Sequence, residues 1–419
     1  MLTALPYGPR AALVACLVFG HAGADDAPAS PTGIARWFDP QAAPFIPIPE
    51  IDTAPHSGLT LGLIPTTLRL NEAGEIDRIV APDVIHSQYF GWGARMRVFG
   101  YPSADTEWSV VGGLKQRTER EFDARYAVGE TRQGRYTWSA EAIYDRSGIP
   151  RFFGFGNESR KADETSYVNN QERLDATVGW NISRELQMSY AARLRHVTVQ
   201  PSVLPQLVSI QVRFPSVAGL QPTSELQQRV ALSYDTRDAR TIPGDGGLYV
   251  LYAAVVARSI GSSYAATSVG GDARQYWALA PTVTLAAHGS LRYTPGSGPV
   301  PFWALPSLGG DRSVLAEREP LRGYGEDRFI DRNQFASGIE LRTRVVDFQA
   351  LDTRLSIEVA PFLDVGKVFA KVAQSPLSRL HAAGGLGIRG IASPFVVGYV
   401  DLGYGREKLA VFSGINYPF

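Results

Sequence analysis

Two short motifs hold the residues best suited to specific chemistry, and that chemistry is charge pairing rather than bond making. Leu321-Arg322-Gly323-Tyr324-Gly325 presents a guanidinium in a long polar connection, and Phe362-Leu363-Asp364-Val365-Gly366 presents a carboxylate within an alternating segment. A carboxylate withdrawn from water needs a hydrogen-bonded cation, which the planar fork of arginine can supply with two parallel donors. Glu340 and Arg342 stand two residues apart on the preceding alternating segment and therefore share a face. Each group also has a plainer reading: Arg322 as a solvated loop cation, Asp364 as one of many interior charges touching water. Asp235 and Arg237, in Tyr234-Asp235-Thr236-Arg237-Asp238, read equally well as a motif or as a strand end entering the turn from Pro243 to Gly246.

Groups that catalysis would need are not arranged for it, so no enzymatic activity is expected. The chain has no Gly-x-Ser-x-Gly elbow. His56, His86, His196, His288 and His381 are scattered without ligand spacing, so no metal site is expected. Gly385-Leu386-Gly387-Ile388-Arg389-Gly390 matches a dinucleotide fingerprint as text, yet Pro394 follows closely and no βαβ unit surrounds it. No cofactor is expected; the glycines read as thinning a strand. Cys16 is the only cysteine, which excludes disulfides and cysteine-built zinc clusters. With 41 basic and 41 acidic residues there is no bulk bias toward nucleic acid.

The elements that must position these residues alternate apolar and polar side chains. Leu174, Ala176, Val178, Trp180 and Ile182 oppose Arg173, Asp175, Thr177, Gly179 and Asn181, a period of two that belongs to strands. Sixteen such segments are read, at 57–70, 88–100, 106–116, 120–129, 134–146, 172–183, 185–197, 225–238, 247–258, 264–279, 281–294, 335–348, 354–369, 380–391, 394–405 and 408–419. On the segment carrying Asp364, the residues Ser356, Glu358, Phe362 and Gly366 share its face, so Phe362 and Gly366 are lumen neighbours of the carboxylate. Tyr136, Trp138 and Tyr144 fit aromatic girdles at the two borders of a lipid layer. At the end of the chain, Leu409, Val411, Ser413, Ile415, Tyr417 and Phe419 share a face, which predicts a closing strand with Tyr417 and Phe419 at its lipid-facing aromatic edge.

At the start, Arg10, an apolar run from Ala11 to Gly20 and Ala22-Gly23-Ala24 have the form of a cleaved export signal. The expected organisation is a signal peptide at 1–24, a proline-rich periplasmic tail at 25–56 and a barrel domain at 57–419. The fold class is all-β, a 16-stranded antiparallel transmembrane β-barrel in the bacterial outer membrane.

In its Arg-Gly-Tyr loop, Phe-x-Asp-x-Gly strand, Tyr-Asp-Thr-Arg-Asp segment, Gly154-Phe155-Gly156-Asn157 and terminal Tyr-x-Phe, the chain resembles the BamA/TamA-type superfamily of outer-membrane assembly and secretion barrels, also called the bacterial surface antigen family. The resemblance covers residues 57–419. It implies that the sixth extracellular loop, with Arg322, Gly323 and Tyr324, folds into the lumen, where Arg322 pairs with Asp364 and has Glu340 and Arg342 as further partners. It also implies an openable seam between first and last strands, through which client polypeptides, or lipids, are inserted or exported. Outer-membrane lipid, clients and an accessory periplasmic protein are the expected partners. Residues 25–56 are too few for the periplasmic polypeptide-transport-associated domains of the assembly members, so the chain resembles a barrel-only branch. The alternatives are a passive diffusion channel and, more remotely, a barrel-embedded lipid hydrolase.

Overall fold

The computed structural model describes residues 46–52, 59–72, 76–315, 317–350, 353–392, 396–415 and 417–419; the expected signal peptide at 1–24 lies outside them. Described β elements, in chain order, are β1 (Ile46–Asp52), β2 (Thr60–Leu70), β3 (Ile76–Ser87), β4 (Gly91–Ser103), β5 (Thr106–Lys115), β6 (Arg120–Val128), β7 (Tyr136–Ser147), β8 (Arg151–Phe152), β9 (Thr165–Asn181), β10 (Leu186–Pro201), β11 (Val208–Ser209), β12 (Thr223–Asp235), β13 (Gly246–Val256), β14 (Ala266–Ala280) and β15 (Val283–Tyr293). They continue as β16 (Ser307–Leu308), β17 (Arg318–Glu319), β18 (Phe329–Ile330), β19 (Asn333–Ala350), β20 (Thr353–Phe369), β21 (His381–Ala392), β22 (Val396–Gly405) and β23 (Leu409–Ile415). The long strands pair antiparallel with their successors from β1 to β23, and the only α-helix among the described residues is the four-residue Ile210–Arg213.

The two faces of the sheet invert the pattern of a soluble protein. Leu174, Val178, Met188 and Leu194 point outward and stay exposed, whereas Arg173 and Arg195 are buried inside. Trp92, Tyr136, Trp138, Trp180 and Trp277 add exposed aromatic surface. An apolar outside and a charged inside are what hydrocarbon around a barrel demands.

Two strands escape the sequence reading, so the count of sixteen falls short. β3 was missed because Pro82 and Asp83 interrupt its alternation; its ladder with β2 runs from Thr60↔Ser87 to Leu63↔Val84 and resumes at Thr67↔Val80. Pro82 cannot donate to that ladder. β1 falls within the expected tail at 25–56, yet it pairs with β2 from Ile46↔Thr66 to Asp52↔Thr60 despite Pro47 and Pro49. Both prolines suit an edge strand, whose outer side needs no donor. No pairing joins β1 to β23 among the described residues.

Candidate functional site

The connection from β15 to β19 folds onto the inner face of β19–β22. It carries its own small sheet, in which β16 pairs with β17 and β18. Leu308, Leu321, Tyr324 and Phe329 from this connection pack with Ala336, Val368 and Ala383 of the wall. Burying these apolar groups draws the loop inward and delivers Arg322 to an interior where it is fully shielded from solvent.

Arg322 meets three carboxylates there. Its Nε donates to Asp364 Oδ2 at 2.8 Å, its Nη2 donates to Asp364 Oδ1 at 2.7 Å, and its backbone N–H donates to Oδ2 at 3.1 Å. Nη1 donates to Asp401 Oδ2 at 3.1 Å and also to Glu340. The guanidinium carbon lies 3.6 Å from the centre of the Phe362 ring, so it is stacked as well as hydrogen-bonded. Arg342 donates from Nε to Glu340 Oε2 at 3.0 Å, and Arg389 binds Glu340 at 3.0 Å and Asp401 at 2.9 Å. Three guanidiniums and three carboxylates thus alternate in one buried network, which offsets the desolvation that any isolated pair would suffer.

Glycines make the close approach possible. A Cβ at Gly403 would land on the Arg322 carbonyl oxygen, and one at Gly323 would collide with the Gly405 backbone. At Gly385 a Cβ would strike the Leu402 carbonyl oxygen, and at Gly387 it would fall on the Arg389 guanidinium, whereas Gly390 faces open space; the first two glycines of the 385–390 run make room for close neighbours. Tyr324 is buried, and its hydroxyl accepts from the Arg406 N–H at 3.3 Å. Gly366 lies against Leu308, where a side chain would strike the leucine methyls.

Other singled-out residues are placed differently. Asp235 and Arg237 bind each other through two bonds of 2.9 Å, and the neighbouring Asp238 accepts from Ala239 and Gly244. That is a local turn clasp, remote from the loop network. Tyr417 and Phe419 do not form a lipid-facing edge. β23 ends at Ile415, and Pro418 cannot extend its ladder. The last residues turn inside: Tyr417 lies 3.7 Å below the Arg342 guanidinium, Phe419 stacks on His288 at 5.0 Å, and Pro418 O accepts from Ser313 N at 2.9 Å.

His288 also departs from the expectation of isolated histidines. Its Nε2 lies 2.9 Å from Asp272 Oδ2 and 3.4 Å from Glu319 Oε2, three potential ligands brought together by β14, β15 and the loop. Arg274 occupies the other Asp272 oxygen at 2.9 Å, so this cluster already has a cation and serves as a second clasp on the loop. Glu317 makes a third with Arg193. Burial raises the Glu317 carboxyl, but Arg193, Arg173 and Arg195 outweigh it and hold the group well below the usual carboxylate range.

Sequence reasoning missed Asp401, Arg389 and Asn157. Asp401 and Arg389 were visible as charges at inward positions of their strands. Asn157, in the Gly-Phe-Gly-Asn segment, donates to Arg379 O at 2.9 Å and accepts from Val368 N at 3.2 Å, while Gly156 N binds Ile330 O at 2.9 Å. It joins a second connection to the end of the inward loop.

An antiparallel sheet with an apolar exterior and an inward loop pinned to its wall by arginine defines the class as an outer-membrane β-barrel. The Omp85 superfamily domain matches residues 104–405, and the chain belongs to that superfamily. Its fold is similar to that of BamA from Haemophilus ducreyi lacking POTRA domains 1–3, with 12% identity and a TM-score of 0.52 over 84% of this chain and 74% of that one. CdiB from Escherichia coli (12% identity, TM-score 0.48, 88% of this chain and 62% of that one) and CdiB from Acinetobacter baumannii (14%, 0.45, 85% and 65%) are more distant in shape. The chain therefore spans less than two thirds of either CdiB. No curated protein sequence matches it.

Proposed function

We propose that this protein inserts or exports client polypeptides, without enzymatic chemistry, by opening a seam between β1 and β23 while Arg322 holds the inward loop against the β19–β22 wall that adjoins β23. One observation carries the reading: the ladder runs unbroken from β1 to β23, and neither edge pairs with the other among the described residues. An edge in hydrocarbon must satisfy its donors and acceptors, and an incoming strand can do so by β-augmentation. β1 is suited to be displaced, because it is short and carries two prolines; the buried contact of Glu50 with Arg95 Nη2 at 2.9 Å anchors it. The loop is folded inward and pinned to the inner face of the wall, which favours this reading over a passive channel.

Photo-crosslinking groups placed in living cells at Leu61 of β2 and Val411 of β23 test the proposal. Polypeptide adducts at both positions, absent from a control at Leu251 on the lipid-facing side, are expected. Adducts to lipid alone would contradict it.

A further inference from the structure

Away from the Arg322 network, the wall formed by β9, β10 and β12–β15 and the inward loop enclose a cavity of about 60 Å³, well above the ~10–15 Å³ that one water requires. Five arginines line it, Arg193, Arg195, Arg229, Arg292 and Arg318, against only Glu317 and Asp327. Both carboxylates are already engaged: Glu317 by Arg193, and Asp327 by Arg318 at 2.9 Å and by the Ser307 hydroxyl at 2.6 Å. Arg195 is engaged by Glu225 at 2.8 Å. Arg229 differs from all of these: its side chain has neither a hydrogen bond nor an ion pair among the described residues.

The register explains how the cavity forms. Arg229 lies opposite Ala254, and Ala254 lies opposite Ser268, while Arg292 pairs with Gly270, one same-face step further along β14. Two arginines thus border a floor of small side chains. They are separated by three inter-strand spacings and one two-residue step, about 16 Å between backbones, a gap that two extended side chains with an anion between them can span. Arg292 donates to Ala304 O at 3.2 Å, which joins that side of the floor to the loop above. Arg229 is half-buried, and the carboxylates that act on it, Glu317 and Asp175, are both already bound by Arg193; a partly desolvated guanidinium gains from a further counter-charge, and the cavity beside it supplies space for one.

We infer that this cavity binds a compact phosphate-type oxyanion, held by Arg229 and Arg292 over the Ala254 and Ser268 floor, between the barrel wall and the inward loop. A tetrahedral oxyanion accepts from several forked donors at once, and it would bridge wall and loop at a place apart from the carboxylate-rich network. The shared chemistry is that of a phosphate group, free or carried on a lipid.

The test is calorimetric titration of the full chain, in micelles of a neutral detergent, with inorganic phosphate at constant ionic strength. Saturable binding is expected, weakened by about tenfold or more in Arg229→Gln, partly retained in Arg229→Lys, and unchanged in Arg237→Gln, whose guanidinium sits in the distant turn. Competition by a short-chain phosphatidic acid would identify a lipid as a source of the group; failure to compete would restrict the site to free phosphate. Thermal unfolding of Arg229→Gln close to that of the parent chain shows that lost binding is not lost folding. Binding that does not saturate, or that Arg229→Gln leaves intact, overturns the inference.

Discussion

The wall at β19–β22 and the seam strands β1 and β23 belong to one continuous sheet, yet they are held by opposite means. On the wall, Arg322, Arg342 and Arg389 are fully buried among Glu340, Asp364 and Asp401, and an apolar layer seals them. At the seam, a strand of seven residues with two prolines lies on β2, and a second strand of seven ends three residues before Pro418. The difference teaches where the molecule can move. Opening the wall would strand three guanidiniums and three carboxylates, whereas releasing β1 gives up a seven-residue ladder and one buried pair, Glu50 with Arg95, and exposes an edge that another strand can complete.

The largest effect is expected on the wall. Arg322→Ala leaves three buried carboxylates short of a cation and should lower stability by about 3–5 kcal/mol, read from denaturant unfolding in micelles, with larger open currents in planar bilayers. If Arg322 and Asp364 formed an isolated pair, exchanging their charges would restore function. Here it should not, because an aspartate at 322 would face Glu340 and Asp401; a double-mutant cycle measures this. Gly403→Ala should cost about 1–3 kcal/mol by pushing a methyl group against the Arg322 carbonyl, and protease digestion should then cut the displaced loop. Asn157→Ala should cost about 1–3 kcal/mol by leaving the Val368 N–H without its partner. Glu50→Ala should scarcely change global unfolding, since Arg95 keeps Asp83 at 2.8 Å, but should speed amide exchange in β1. Arg237→Ala should change stability by less than about 1 kcal/mol; a larger loss would mean that the turn clasp does more than its local contacts suggest.

Much of the wall was legible in the sequence because alternation encodes sidedness directly. The inward positions of Asp364, Phe362, Glu340 and Arg342 followed from it, and the Arg-Gly-Tyr loop stood out by resemblance. The partners that complete the network did not, since Asp401 and Arg389 sit in glycine-rich strands with no local mark of what lies across the lumen. β3 and β1 were obscured by proline, which breaks a pattern without always breaking a strand. Phe419 continued the parity of β23 on paper, but parity carries meaning only while the ladder lasts, and the ladder stops before Pro418.

Hydrogen exchange of the protein in lipid nanodiscs, followed peptide by peptide, tests the contrast most directly. Amides of β1 and β23 should exchange by local opening at rates orders of magnitude above those of β19–β22, and Arg322→Ala should narrow the gap by loosening the wall. Equal protection of seam and wall in the intact protein would contradict the account.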